Sequence, residues 1–230
     1  MRQVASTQAG RLPALGAAYL RHRYAFLFYT LLLTMAAAPL IAALELTGSL
    51  IEFLLALNLL AAVMPLRSPR SRRAALLATA LMWAARPLAA WSGHPALLAT
   101  TLGAWTLIGL CAAAGALLFA MRAARIDPEH LYAALSAYLL AGVFFGSFYW
   151  VLEEIQPASF VVSGEFTRMS AIYFSFVTLA TLGYGDIVPR NDIARGLAIV
   201  EGVGGQLFLA VMVARLVSLY SKEPPAGARQ

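Results

Sequence analysis

Charge is scarce in this sequence. Only 12% of its 230 residues are charged, while 61% are hydrophobic. Soluble domains carry about a quarter charged residues. The shortfall excludes an ordinary soluble domain and points to an integral membrane protein, whose outer faces must satisfy lipid rather than water. Cysteine is nearly absent. Cys111 stands alone in an apolar run, so no disulfide forms within the chain, and a small packing role is expected. The three histidines, His22, His94 and His130, all lie near segment ends. Neither H-E-x-x-H nor G-x-S-x-G occurs, which leaves an intramembrane enzyme without support. No enzyme and no cofactor is expected. Acids are outnumbered, and the formal net charge is +6. The arginines sit in short loops between apolar runs, so the positive-inside bias explains them better than nucleic acid does.

What is present is a series of apolar runs. Residues 1–23 carry Arg2, Arg11, Arg21 and Arg23 without an acid, and an amphipathic helix over Leu12–Arg23 would suit the inner membrane surface. Runs follow at 24–44, about 46–66, 74–91 and 96–121. Each is long enough to span at 1.5 Å per residue. A cleavable signal peptide ending at Ala36-Ala37-Ala38 competes for the first run, but its arginine-rich lead would be unusually long. Asp127-Pro128-Glu129 reads as a helix start, with Asp127 as cap. A fifth run, 131–152, holds Gly142 and Gly146 at the spacing of close helix approach. Residues 155–169 are more polar and read as an extracellular turret. Ser170–Ala180 gives only about 16 Å of helix, too short to span and right for a re-entrant helix. The last run is 193–220, followed by a short tail.

Six spans put both termini on one side. The basic segments are the N-terminus, the 67–73 loop, Arg122 with Arg125, and Lys222 with Arg229 in the tail. They place that side in the cytoplasm of a plasma membrane. Glu45, Glu153, Glu154, Glu165, Asp186 and Asp192 fall on the other side. The reading divides the chain into a cytoplasmic segment (1–23), a four-helix membrane domain (24–126), a pore domain (127–221) and a tail (222–230).

Between the re-entrant helix and the last run lies Thr178-Leu-Ala-Thr181-Leu-Gly-Tyr-Gly-Asp186. It matches all fixed positions of T-x-x-T-x-G-Y-G-D and resembles the filter of the potassium channels among the tetrameric cation channels. Backbone carbonyls suit conduction because carboxylates would hold the ion too tightly. Directing successive carbonyls down one axis needs left-handed residues at intervals, which Gly183 and Gly185 supply cheaply. The resemblance implies K+ held by the carbonyls of Thr181, Leu182, Gly183 and Tyr184, with Gly185 completing the filter. It further implies that Tyr184 points away from the axis and Asp186 anchors the outer mouth. One chain carries one loop, so four chains must meet as a homotetramer in lipid. A plain glycine-rich turn is the bland alternative.

The resemblance is strongest over 131–220. Tyr173 and Phe174 fall where relatives carry an aromatic cuff, often with tryptophan, and the Tyr173 hydroxyl is a candidate partner for Asp186. Ala180 and Leu182 replace a common threonine and valine, which keeps a non-selective cation channel as an alternative. Gly202, Gly204 and Gly205 form either a gating hinge or a close-packing face. Glu201, a carboxyl about two turns into a membrane helix, needs a partner. Ser175 or Thr178 behind the filter are expected, with the acid protonated or hydrogen-bonded and supporting the filter. On this reading Glu201→Gln disturbs conduction, selectivity or inactivation. The fourth run lacks the arginines of a voltage sensor, so weak or no voltage dependence is expected. A secondary transporter would show internal repeats, and no convincing repeat is present.

Overall fold

The computed structural model describes residues 22–43, 48–63, 95–122 and 127–220, together with 73, 76–81, 84–85 and 91. The amphipathic stretch before residue 22, most of the 67–73 loop, much of the third run and the tail lie outside the described residues.

Among the described residues the fold is carried by α1 (Arg23–Ala43), α2 (Gly48–Val63), α3 (Pro95–Met121), α4 (Pro128–Ile155), α5 (Arg168–Leu179) and α6 (Asp192–Tyr220). The protein is a membrane protein. Among the described residues, Thr100–Met121, Pro128–Ile155 and Asp192–Arg215 are each long and apolar enough to cross a membrane. Arg23–Ala38 and Phe53–Ala62 are shorter apolar stretches. Lipid cannot satisfy a hydroxyl, so the threonines of these helices bond back to their own backbone. Thr34 donates to the Thr30 carbonyl at 2.7 Å and Thr106 to the Leu102 carbonyl at 2.9 Å. Asn58 of α2 reaches across to the Thr34 hydroxyl at 2.8 Å. Cys111 is exposed. It faces outward from α3, contrary to the packing role expected of it.

The helix α4 is the hub. Its start is capped as the sequence indicates: Asp127 is extended and accepts from the Glu129 amide, with Pro128 in the first turn. Buried small residues Ala133, Ala134 and Ala137 let α1 and α3 approach, and Tyr24, Leu27, Leu31, Trp105 and Phe144 complete that core. Three polar contacts tie α1 to α4, one of them between the Tyr29 and Tyr132 hydroxyls at 3.1 Å. The Tyr24 amide donates to Glu129 Oε1 at 2.6 Å, and Ser136 Oγ donates to the Tyr24 carbonyl at 3.4 Å. Farther along α4, a β-carbon on Gly142 would lie 2.5 Å from the Phe176 ring, and one on Gly146 would lie 2.5 Å from the Ile172 Cα. The glycines therefore seat α5 directly on α4.

The turret is not wholly irregular, so the fold is helical with a small addition. Strand β1 (Phe160–Val162) pairs antiparallel with β2 (Ile187–Pro189), in the register Phe160↔Pro189 and Val162↔Ile187. Glu153 supports the turn before β1 by accepting from the amides of Ala158 and Phe160 at 2.8 and 3.2 Å. Asn191 caps α6 by accepting from the Ala194 amide at 2.7 Å, and it donates to Ser159 Oγ at 2.7 Å. Beneath this ribbon sits a second core of Tyr149, Phe160, Phe174 and Ile187.

Candidate functional site

The helix α5 has 12 residues, about 18 Å of rise, against about 30 Å of hydrocarbon. It is too short to span. It begins two residues before the expected start, because Thr167 caps it by accepting from the Ser170 amide. Its last carbonyls do not face lipid. The Thr178 carbonyl accepts from the Thr181 amide at 3.0 Å, and the Val177 carbonyl from the Leu182 amide at 2.8 Å. The negative end of the helix dipole thus lies directly against residues 181–182, where a cation would be favoured.

Beyond that point the backbone alternates. Thr181, Gly183 and Gly185 have φ of 56°, 61° and 79°, so every second residue is left-handed. The two glycines adopt this at little cost. Thr181 is β-branched and loses roughly 1–2 kcal/mol by it. Its side chain is held from α6, where Gln206 Nε2 donates to Thr181 Oγ1 at 3.0 Å. Sequence reasoning missed Gln206, although a lone amide in an apolar helix is a signal. Leu182 and Tyr184 are exposed in the single chain.

The remaining candidates surround this turn. Tyr173 and Asp186 line one open pocket, and Tyr173 stacks on Tyr184 with the rings 8° from parallel. Phe174 points the other way, into the second core beside Tyr149 and Phe160. Glu201 is 1% exposed. One of its oxygens lies against Ser175 Oγ, and the other accepts from the Tyr149 hydroxyl at 2.6 Å. Ser175 was an expected partner; Tyr149, 52 residues away along the chain, was not. Thr178 instead lies near Gly202, its side chain 3.8 Å from where a β-carbon would sit there. A β-carbon on Gly205 would collide with the Leu179 carbonyl oxygen, whereas Gly204 faces open space within the chain. The helix α6 runs unbroken through all three glycines.

A family profile described as "Ion channel" matches residues 132–222. Protein LctB from Bacillus caldotenax is 31% identical over 100 residues, spanning 40% of this chain and 74% of LctB. The chain belongs to the ion-channel family. Two pore potassium channel a of Oryza sativa subsp. japonica is 39% identical over 84 residues, or 36% of this chain and 22% of that relative. The inward rectifier potassium channel Kirbac3.1 of Paramagnetospirillum magnetotacticum is 34% identical over 77 residues, or 34% and 23%. This ion-channel chain therefore spans less than a quarter of the length of either potassium channel. No solved structure matches it closely. The matched region begins within α4 and contains α5, the alternating turn and α6, so the likeness falls on the elements that build the site.

Proposed function

We propose that the chain is one subunit of a homotetrameric, potassium-selective channel that conducts K+ passively across the plasma membrane. The observation that carries this reading is the left-handed backbone at Thr181, Gly183 and Gly185, set on the carbonyl end of a helix too short to span. Such alternation is what a column of backbone carbonyls requires, and four copies around one axis would replace the water shell of K+. The carbonyls of Thr181, Leu182, Gly183 and Tyr184 hold the ion, and Asp186 with Tyr173 braces the outer mouth. The exposed apolar residues of α6, among them Ile199, Val203, Leu207 and Val213, support assembly. A single chain leaves them bare beside a filter of which it forms only one wall.

In this reading the chain makes six spans with both termini cytoplasmic. The four spans of residues 24–126 brace the pore and meet lipid without sensing voltage, and α6 bends for gating at Gly202 and Gly204. Two measurements test it. Purified protein in liposomes should dissipate a K+ gradient without a second solute. A bilayer with K+ on one side and Na+ on the other should then give a reversal potential near that of K+. A reversal potential near zero would instead assign a non-selective cation channel, and flux that needs a co-solute would assign a transporter.

A further inference from the structure

Conduction along backbone carbonyls needs no carboxylic acid, yet one is sealed where α4, α5 and α6 meet. Glu201 is 1% exposed, and its partners Tyr149 and Ser175 are both 0% exposed. The hydrogens of this cluster can be counted. The Tyr149 hydroxyl donates to Glu201 Oε2 at 2.6 Å. Ser175 Oγ lies 2.7 Å from the Gly142 carbonyl oxygen and also against Glu201 Oε1. A carbonyl donates nothing, and a serine hydroxyl has one proton. If that proton went to Glu201, two lone-pair-bearing oxygens would face each other at 2.7 Å with nothing between them. If it goes to Gly142, the remaining contact needs a proton from the carboxyl.

We infer that Glu201 carries its proton, and that the neutral acid is a clasp positioning the pore helix and, through it, the filter. The carboxyl accepts from Tyr149 of α4 and donates to Ser175 of α5, and Ser175 donates onward to α4. Every oxygen of the cluster is thereby satisfied in a buried site, where an unmatched one is costly. Ser175 lies one turn before the Val177 and Thr178 carbonyls that receive the amides of Leu182 and Thr181. On α6, Gly205 sits one turn beyond Glu201, against the Leu179 carbonyl. The inner helix therefore grips the pore helix at two levels, and its rotation must either carry the filter along or break the clasp. The inference rests on residues 181–185 being a filter. It makes Glu201, Tyr149 and Ser175 positioning residues that couple the inner helix to conduction.

The count reverses the expectation that Glu201→Gln is disruptive, since an amide offers Ser175 a donor and Tyr149 an acceptor. The test uses the full chain in liposomes, with K+ flux, the decline of current at constant voltage, and infrared spectra. Expected are a protonated-carboxyl band in the parent that disappears in Glu201→Gln, and parent-like flux in Glu201→Gln. Glu201→Leu and Ser175→Ala should lose flux or hasten current decline by roughly tenfold, the scale of one buried polar group left unpartnered, while remaining tetrameric. The absence of the band, or equal losses in Glu201→Gln and Glu201→Leu, would overturn the neutral clasp. Parent-like flux and decline in Glu201→Leu and Ser175→Ala would overturn the positioning role. If Glu201→Leu does not fold, Ser175→Ala and the infrared band decide. A parent that passes no K+ would sink the channel reading and the coupling with it, while the band would still decide the proton.

Discussion

Gly146→Ala isolates the contact on which the site is seated. A β-carbon at residue 146 would lie 2.5 Å from the Ile172 Cα and 3.0 Å from its amide nitrogen. Carbon atoms rest at about 3.5–4.0 Å, so α4 and α5 must separate by about 1 Å. The obstacle is backbone, so no rotamer change relieves it. Overpacking of this kind costs about 1–3 kcal/mol, against a gain of about 1 kcal/mol in helix propensity from alanine. A net loss of up to about 2 kcal/mol is expected from these two effects. Gly103→Ala on α3 is the matched control, because nothing lies within 4 Å of its β-carbon position. Melting of the purified proteins in mild detergent should place Gly146→Ala below the parent and Gly103→Ala at or above it. Potassium flux should fall in the first alone, since α5 leads into the proposed filter. If both variants melt at or above the parent, α4 and α5 are not in backbone contact and the seating of the pore helix is disproved.

Removing the amide in Gln206→Leu leaves Thr181 in its left-handed conformation without the side-chain bond from α6. The discrimination of K+ over Na+, read from reversal potentials, should fall several-fold, on the scale of about 1 kcal/mol for one hydrogen bond; an unchanged ratio would remove Gln206 from the site. Asn191→Ala deletes the cap of α6 and its bond to Ser159, and should lower stability by about 1–2 kcal/mol while leaving the permeability ratio at the parent value. In symmetric K+ without blocking ions, conductance should change little with voltage; a steep curve would show that the spans of residues 24–126 carry gating charge.

Where backbone chemistry is written locally, the sequence was a good guide. Asp127 followed by Pro128 can hardly do other than start a helix, and the spacing of Gly183 and Gly185 encodes the alternation of φ. Gly142 and Gly146 announce a close neighbour without saying which one. Thr181 was not legible in this way, because a β-branched residue argues against positive φ and only its surroundings force the conformation. The β1–β2 ribbon escaped notice because three-residue strands in a polar segment show no usable period. Tyr149 as a partner of Glu201 depends on the crossing of α4 and α6. The carboxyl in an apolar helix signals that some partner exists, but sequence distance conceals its identity.

The grip of Glu129 on the first turn of α1 bears on any attempt to shorten the protein. The family likeness starts at residue 132, which invites excision of a minimal pore beginning near Asp127. Such a fragment would keep Glu129 but lose the Tyr24 amide that it binds. It would also strip α1 from the alanine flank of α4, baring a shallow trough where a side chain of Leu27 or Leu31 used to lie. Detergent or a stray lipid tail would have to fill that trough. The peripheral helices are in this sense part of the pore's foundation, and any shortened chain made for recording should begin upstream of Arg23.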